Sequence, residues 1–285
     1  MTNGKIVDTI VWIDYFDNTI DDRTNAVEEL LNVDEVFFTF CNLADAIVKN
    51  LMINAFLQIC LLRINIMNNI LTPLLESTKL QEYFVELRDF IKEEQQRRKD
   101  FYDFLTEEMK AEFIKGEVKI HSPVTDEHKL ASSNLFTLLK VFSAMKDNGR
   151  VSHEKLMIAL TRNSYEPDIC FFNKNKAKKF IEGQKLFPTP DFIAEVLSKS
   201  TEKFDRGIKF EDYALHGVKE YWLIDPRQRI IEKYLLIGEK FVQKEKLTNG
   251  DISIKIIKGF SIPVEAVFDK KIFATTVATI SNTKK

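Results

Sequence analysis

The run Pro190-Asp-Phe-Ile-Ala-Glu195-Val-Leu-Ser198 constrains this chain more than any other stretch. From Phe192 to Leu197 it is apolar except for one glutamate, and Pro190 and Ser198 bound it. A short apolar run with such limits reads as a buried strand. Alternation places Phe192, Ala194 and Val196 on one face, and Asp191, Ile193 and Glu195 on the other. A carboxylate inside a buried strand is costly unless it is paired or holds a metal. Glu195 therefore calls for a cation, either in a structural salt bridge or at a metal site.

A second acid stands in Glu166-Pro-Asp168-Ile-Cys-Phe-Phe172. Pro167 biases its predecessor toward extended backbone. Asp168 opens an apolar strand and points away from Ile169 and Phe171. Two carboxylates on neighbouring strands suit Mg²⁺, which prefers hard oxygen ligands. A helix is expected from Glu202 to His216, ended by Gly217. On it Asp205, Lys209 and Tyr213 recur every four residues and share a face. With that face turned to the strand ends, Lys209 supplies positive charge to a phosphate or polarises a water. The plainer alternatives are a strand cap for Asp168, an ion pair for Glu195 and a solvated helix lysine for Lys209.

The surrounding pattern is mixed. A strand or hairpin is expected at Phe113–Ile120 with Gly116 at the bend, then a helix over Glu127–Met145. Strands follow near Val151 and over Leu156–Thr161, Asp168–Phe172 and Phe192–Leu197. After the helix come strands at Glu220–Ile224, Ile230–Leu235, Lys240–Gln243 and Ile252–Ile257. This is an α/β (α+β) arrangement with a helix inserted between runs of strands. His128 reads as a packed or solvent-facing helix residue, Glu117 as a surface residue, and Tyr221-Trp222 as core.

From about Tyr102 to Phe268 the chain resembles the Uma2 family of endonucleases, within the PD-(D/E)XK restriction-endonuclease-like superfamily. The resemblance rests on Glu112-Phe-Ile-Lys-Gly-Glu117, the His128 helix, Glu166-Pro-Asp168, Pro190–Ser198, Asp205-Arg-Gly-Ile-Lys209-Phe-Glu-Asp-Tyr213 and Gly217–Pro226. It implies a mixed sheet flanked by helices and a metal-dependent cut of phosphodiester bonds in nucleic acid, with DNA the expected substrate. Asp168 and Glu195 would hold Mg²⁺ or Mn²⁺, Glu112 would complete the acidic cluster, and Asp205 and Tyr213 would be accessory. The superfamily pattern asks for a lysine two residues after the acid, where this chain has Leu197. The resemblance implies that the lysine has moved to Lys209, with Lys199 and Lys203 as weaker candidates. The alternative is a catalytically silent nucleic-acid-binding or regulatory module on the same fold. Net charge is −2, which argues against coating nucleic acid through a broad basic surface.

The N-terminal part reads differently. Ile6-Val-Asp8-Thr-Ile-Val-Trp-Ile-Asp14 resembles the opening strand of a PIN domain, with Asp8 as the matching acid. Residues 1–72 are expected to be a truncated PIN-like fragment, mostly helical after its first strands. Residues 73–106 are a helical linker and 107–275 the nuclease-like domain. Thr72-Pro73 marks the break, and an amphipathic helix follows from Leu74 to about Met109. Its charge run over Glu93–Lys99 reads as a solvated face. The apolar helices from Ala44 to Leu75 need cover, from the second domain or from another copy in a homodimer. The stretch Val36–Leu62 carries Asp45 and Lys49, too polar for a membrane span. Three scattered Cys fit a reducing cytoplasm, and no secretory signal is expected at the N-terminus.

Overall fold

A computed structural model of the chain describes residue 69, residues 71–106 and residues 108–282. The PIN-like stretch with Asp8, the helix expected at Ala44–Ile70 apart from residue 69, and the apolar run Val36–Leu62 lie outside the described residues. Among the described residues no helix is long and apolar enough to cross a membrane. The chain divides into two units between Val85 and Glu86, and the C-terminal one carries the sheets.

That unit is a mixed α/β fold around a six-stranded sheet ordered β11-β10-β9-β8-β6-β3. The strands are β3 (Gly149–His153), β6 (Ile169–Asn173), β8 (Phe192–Val196), β9 (Glu220–Asp225), β10 (Ile230–Ile237) and β11 (Lys240–Leu247). Neighbours run antiparallel except β8 and β9, which are parallel. A parallel pair needs a long crossover. Here two short helices supply it, α4 (Glu202–Arg206) and α5 (Ile208–Leu215); the one-turn α3 (Lys174–Ala177) precedes them after β6. A single helix was expected over this span. The chain instead breaks at Gly207, where a side chain would meet the Lys203 carbonyl oxygen at 2.8 Å.

The alternation read from β8 holds on both faces of the sheet. Ile169, Phe171, Phe192, Ala194 and Val196 pack against α2 (Asp126–Lys146), which offers Ala131, Leu135, Leu138, Leu139 and Phe142. Those positions form a helical stripe. Thr125 caps the start of α2 by accepting from the His128 amide. On the other face Cys170, Phe172, Ile193 and Leu197 pack with Tyr213, Ala214 and Tyr221. Helix α6 (Lys270–Asn282), which the sequence pattern did not single out, places Ile280 in the first of these cores.

A second sheet, ordered β2-β1-β5-β4-β7, stands beside the first. It contains the expected hairpin, β1 (Ala111–Ile114) and β2 (Glu117–Ile120), turning at Gly116 with φ +84. Its other strands are β4 (Met157–Ala159) and the two-residue strands β5 (Ser164–Tyr165) and β7 (Leu186–Phe187). Two further strands, β12 (Asp251–Ser253) and β13 (Ser261–Pro263), pair with each other.

Helix α1 (Leu80–Phe104) keeps Glu93, Arg97 and Lys99 of the charge run exposed, as expected, and corrects the expectation at Glu94 and Arg98. Glu94 is buried and receives both arms of Arg162, at 2.8 and 2.7 Å. Arg98 donates to the carbonyls of Leu160 and Asn163 at 2.7 and 2.9 Å. Phe101 packs on Ala111 and Phe113. The apolar residues Leu87, Phe90 and Ile91 are exposed instead. Charged groups dock this helix because the irregular chain between β4 and β5 presents carbonyls, which need donors.

Candidate functional site

The site forms where the ladder between β6 and β8 ends. Their antiparallel register pairs Ile169 with Ala194, so one step further brings Asp168 opposite Glu195. At that step side chains replace the backbone ladder. The Asp168 amide donates to Glu195 Oε2 at 3.1 Å, and the Val196 amide donates to Asp168 Oδ2 at 2.9 Å. Each acid is thus fixed by the other's strand, and both are buried.

Lys209 reaches this pair from α5. Its ammonium lies 3.2 Å from Glu195 Oε1, 2.9 Å from Glu112 Oε1 and 3.1 Å from Asp205 Oδ1. It is 2% exposed. Tyr213, one turn on, donates to the same Glu195 oxygen at 3.0 Å. The shared face of Asp205, Lys209 and Tyr213 therefore persists across the break at Gly207. The structure brings Glu112, Glu195, Asp205, Lys209 and Tyr213 together. Asp168 joins through Glu195 and has no direct contact with Lys209 among those resolved.

Other groups enter that the sequence reading passed over. Lys110, just before β1, donates to Asp168 Oδ1 at 2.6 Å. His128 is packed on α2 as expected, and its Nε2 lies 3.4 Å from Asp168 Oδ2, which brings it beside the candidate site. His121 lies 3.2 Å from Glu112. The Glu166 amide donates to Glu112, while Glu166 Oε2 is buried without a hydrogen-bond partner. A signal was available: Lys110 and Glu112, like Glu166 and Asp168, are two apart in extended chain and share a side. By contrast, the weaker lysine candidate Lys199 only lines the cleft mouth, and Lys203 does not line the cleft. The cleft measures 720 Å³; Lys110, His128, Glu166, Asp168, Glu195 and Lys209 line its interior.

Electrostatics separate these acids. Burial opposes ionisation of Asp168, yet His128 and Lys110 hold its carboxyl well below the usual range. Burial works against Glu112 too, and Lys209 and His121 hold it low. Glu195 goes the other way. Burial, reinforced by Asp205, Asp168 and Glu112, pushes it up to about 8 against the pull of Lys209. Burial and the nearby Glu112 raise Glu166 to about 7. Lys209, despite burial, is held charged by Glu112, Glu195 and Asp205.

Whether a divalent cation fits can be judged from the donors. Glu112, Glu166, Asp168, Glu195 and Asp205 are all buried, against the two ammoniums of Lys110 and Lys209. This surplus of hard oxygens, with Glu166 Oε2 unpartnered, suits Mg²⁺ or Mn²⁺ in chemistry. Among the described residues no three His, Cys, Asp or Glu side chains already stand as a ligand set. Lysines, histidines and backbone amides engage the acid oxygens instead. Glu112 in particular has one oxygen with Lys209 and the Glu166 amide and the other beside His121.

Comparison with known proteins follows the same lines. A crystal structure from Anabaena variabilis, described as a putative nuclease belonging to DUF820, superposes with a TM-score of 0.52. That likeness covers 61% of this chain and 96% of that one at 18% identity, and shows the shared fold. The uncharacterized protein sll1609 of Synechocystis sp. is 31% identical over 134 residues, 46% of this chain and 75% of that protein. The model of the Uma2 family, described as "Putative restriction endonuclease", matches residues 98–265. The match begins after the PIN-like stretch and lends that resemblance no support. With its fold, acidic pair and buried lysine in place, the chain belongs to the Uma2 family.

Proposed function

We propose that this protein is a metal-dependent endonuclease acting on DNA, with Asp168, Glu195 and Lys209 as its working centre. The observation that carries the reading is the position of Lys209, buried among Glu195, Glu112 and Asp205 at the end of the β6–β8 ladder. A buried lysine with three acids is an expensive arrangement for stability alone. It holds positive charge at a fixed place beside two acids on adjacent strands.

In this reading Asp168 and Glu195 hold the metal, and Glu112 stays in the acidic group, reaching the metal only by giving up a present partner. When bound, Mg²⁺ supplies Lewis acidity and lowers the pKa of a coordinated water. The chain's own groups do the rest. Asp205 and Glu112 hold the Lys209 ammonium beside Glu195, where it stabilises charge growing on the phosphate. Tyr213 fixes the Glu195 carboxylate by its hydroxyl. Lys199, Arg227 and Arg229 line the cleft, and their cations meet backbone phosphates there.

The test is supercoiled plasmid cleavage with Mg²⁺ or Mn²⁺, with and without EDTA. Activity is expected with metal, to vanish in EDTA and to be lost in Glu195→Ala. Cleavage that persists in that variant refutes the assignment. Two features favour a second reading, a binding or regulatory module without catalysis: Leu197 stands where the superfamily pattern asks for a lysine, and the net charge is −2. DNA binding without metal-dependent cleavage selects that alternative.

A further inference from the structure

Lys110 and Lys209 are the two lysines that touch the acidic centre, and they differ in kind. Lys209 is 2% exposed and bridges three carboxylates. Among the described residues Lys110 has a single ion pair, to Asp168, and its side chain is 21% exposed at the cleft wall. Its backbone is pinned, since the Lys110 carbonyl accepts from the His121 amide at 2.9 Å. Beyond that anchor its ammonium sits on an intrinsically flexible four-carbon stem.

The two oxygens of Asp168 are also unlike. Oδ2 is taken from within the fold by the Val196 amide at 2.9 Å and lies 3.4 Å from His128. Oδ1 has Lys110 at 2.6 Å, the shortest contact at this acid. Each carboxylate oxygen has two lone-pair directions. The Val196 amide and His128 engage both at Oδ2, while among the described residues Oδ1 has Lys110 alone, so a divalent ion held by Asp168 approaches Oδ1. Yet an ammonium already stands on it. A cation and a metal ion cannot share one lone-pair direction at contact distance, and their like charges repel.

We propose that Lys110 is an internal stand-in for the metal: it neutralises Asp168 in the metal-free protein and must swing off Oδ1 when a divalent cation binds. Lys110 then lowers the affinity for metal while keeping the empty site folded. This inference rests on the reading of Asp168 and Glu195 as metal-holding residues. It separates the work of the two lysines, Lys209 staying with its acids while Lys110 leaves.

The experiment is calorimetric titration of the full-length protein with MnCl₂, alongside thermal melts with and without Mn²⁺. Lys110→Met, Lys110→Gln, Lys110→Arg and Glu195→Ala are compared with wild type. Lys110→Met and Lys110→Gln are expected to bind Mn²⁺ at least about tenfold tighter, since a competing unit charge is gone. Their metal-free melting points fall, because Asp168 is left buried without its partner, and Mn²⁺ raises them by more than it raises wild type. Lys110→Arg keeps the charge and stays near wild-type affinity. Binding that is equal or weaker in Lys110→Met and Lys110→Gln, but abolished in Glu195→Ala, overturns the role of Lys110 and leaves the metal site standing. If neither wild type nor either neutral variant binds Mn²⁺, the metal-site reading fails and this one fails with it. Binding seen only in the neutral variants supports the stand-in.

Discussion

Strand β8 carries a buried acid at each end, and the two are held in opposite ways. Asp191, just before the strand, accepts from the Asn173 amide and from the Asn173 side chain, both at 2.9 Å. Its lysines, Lys176 at 3.1 Å and Lys219 at 3.7 Å, have side chains 35% and 57% exposed. Glu195, four residues on, meets a lysine that is 2% exposed and shared with two more acids. One end is a buried carboxylate with neutral donors on Oδ2 and part-exposed cations beside Oδ1. The other is a surplus of acid gathered round one buried cation. Burial of one acid thus does not mark a candidate site; a surplus of buried acids along a cleft does.

The comparison breaks most sharply on activity. Glu195→Ala is expected to reduce plasmid cleavage by at least about a hundredfold, a loss on the scale of removing a group that stabilises transition-state charge. Asp191→Asn, at the other end of the same strand, is expected to leave cleavage unchanged once folding is verified by circular dichroism. Equal losses in both variants would mean that β8 matters as a structural unit and that its two ends do not differ.

Stability should divide the two ends next. Lys209→Met leaves Glu112, Glu195 and Asp205 buried around an apolar tip. Removing one partner of such a group costs about 3–5 kcal/mol. Urea denaturation measures it, and a loss below about 1 kcal/mol would show that the acids are neutral or hydrated in the native state.

Much of this end of the molecule was legible in the sequence, for identifiable reasons. Strand alternation in β8 predicted which side chains face which core, and the four-residue spacing of Asp205, Lys209 and Tyr213 survived a broken helix. Glu195 announced itself because an acid in an apolar strand needs a partner. Lys110, His121 and Glu166 were not legible as a group. Lys110 and His121 stand at the open end of one hairpin, but only the pairing of that hairpin with β5 brings Glu166 beside them, and this long-range meeting leaves no local period. His128 was discounted because a lone histidine on an amphipathic helix looks like packing; only the position of Asp168 against the start of α2 gives it a role. The charge run of α1 misled for a related reason. Its Glu94 and Arg98 pair with groups near Leu160 and Arg162, more than sixty residues away.

The acid-rich end should also be the pH-sensitive one, through Glu166. Its carboxyl is raised from 4.5 to about 7 by burial and by Glu112. Below pH 4.5 it is protonated in both the folded and the unfolded chain. Between 4.5 and about 7 the unfolded chain has released the proton that the folded protein retains, so stability falls as pH rises. Above 7 the fall levels off. A shift of this size corresponds to about 3 kcal/mol across that window. Glu195, raised by burial and its neighbouring acids, adds to the same trend. Urea melts at pH 5, 6, 7 and 8 should show the fall in wild type and a shallower one in Glu166→Gln. Identical slopes would mean that Glu166 is hydrated at the cleft wall.

The smallest expected effect lies at the quiet end. Lys176→Met removes a half-exposed ammonium from Asp191 but leaves both Asn173 donors and Lys219 in place. Exposed ion pairs contribute about 0–1 kcal/mol. Lys176 also donates to the Thr189 carbonyl at 3.0 Å, a part-buried bond that water can replace from the solvent side. A urea midpoint shifted by less than about 1 kcal/mol, with cleavage unchanged, is the expected result. A loss approaching that of Lys209→Met would show that Asp191 depends on its lysine as Glu195 does. The two ends of β8 would then differ in solvent exposure but not in how their acids are neutralised.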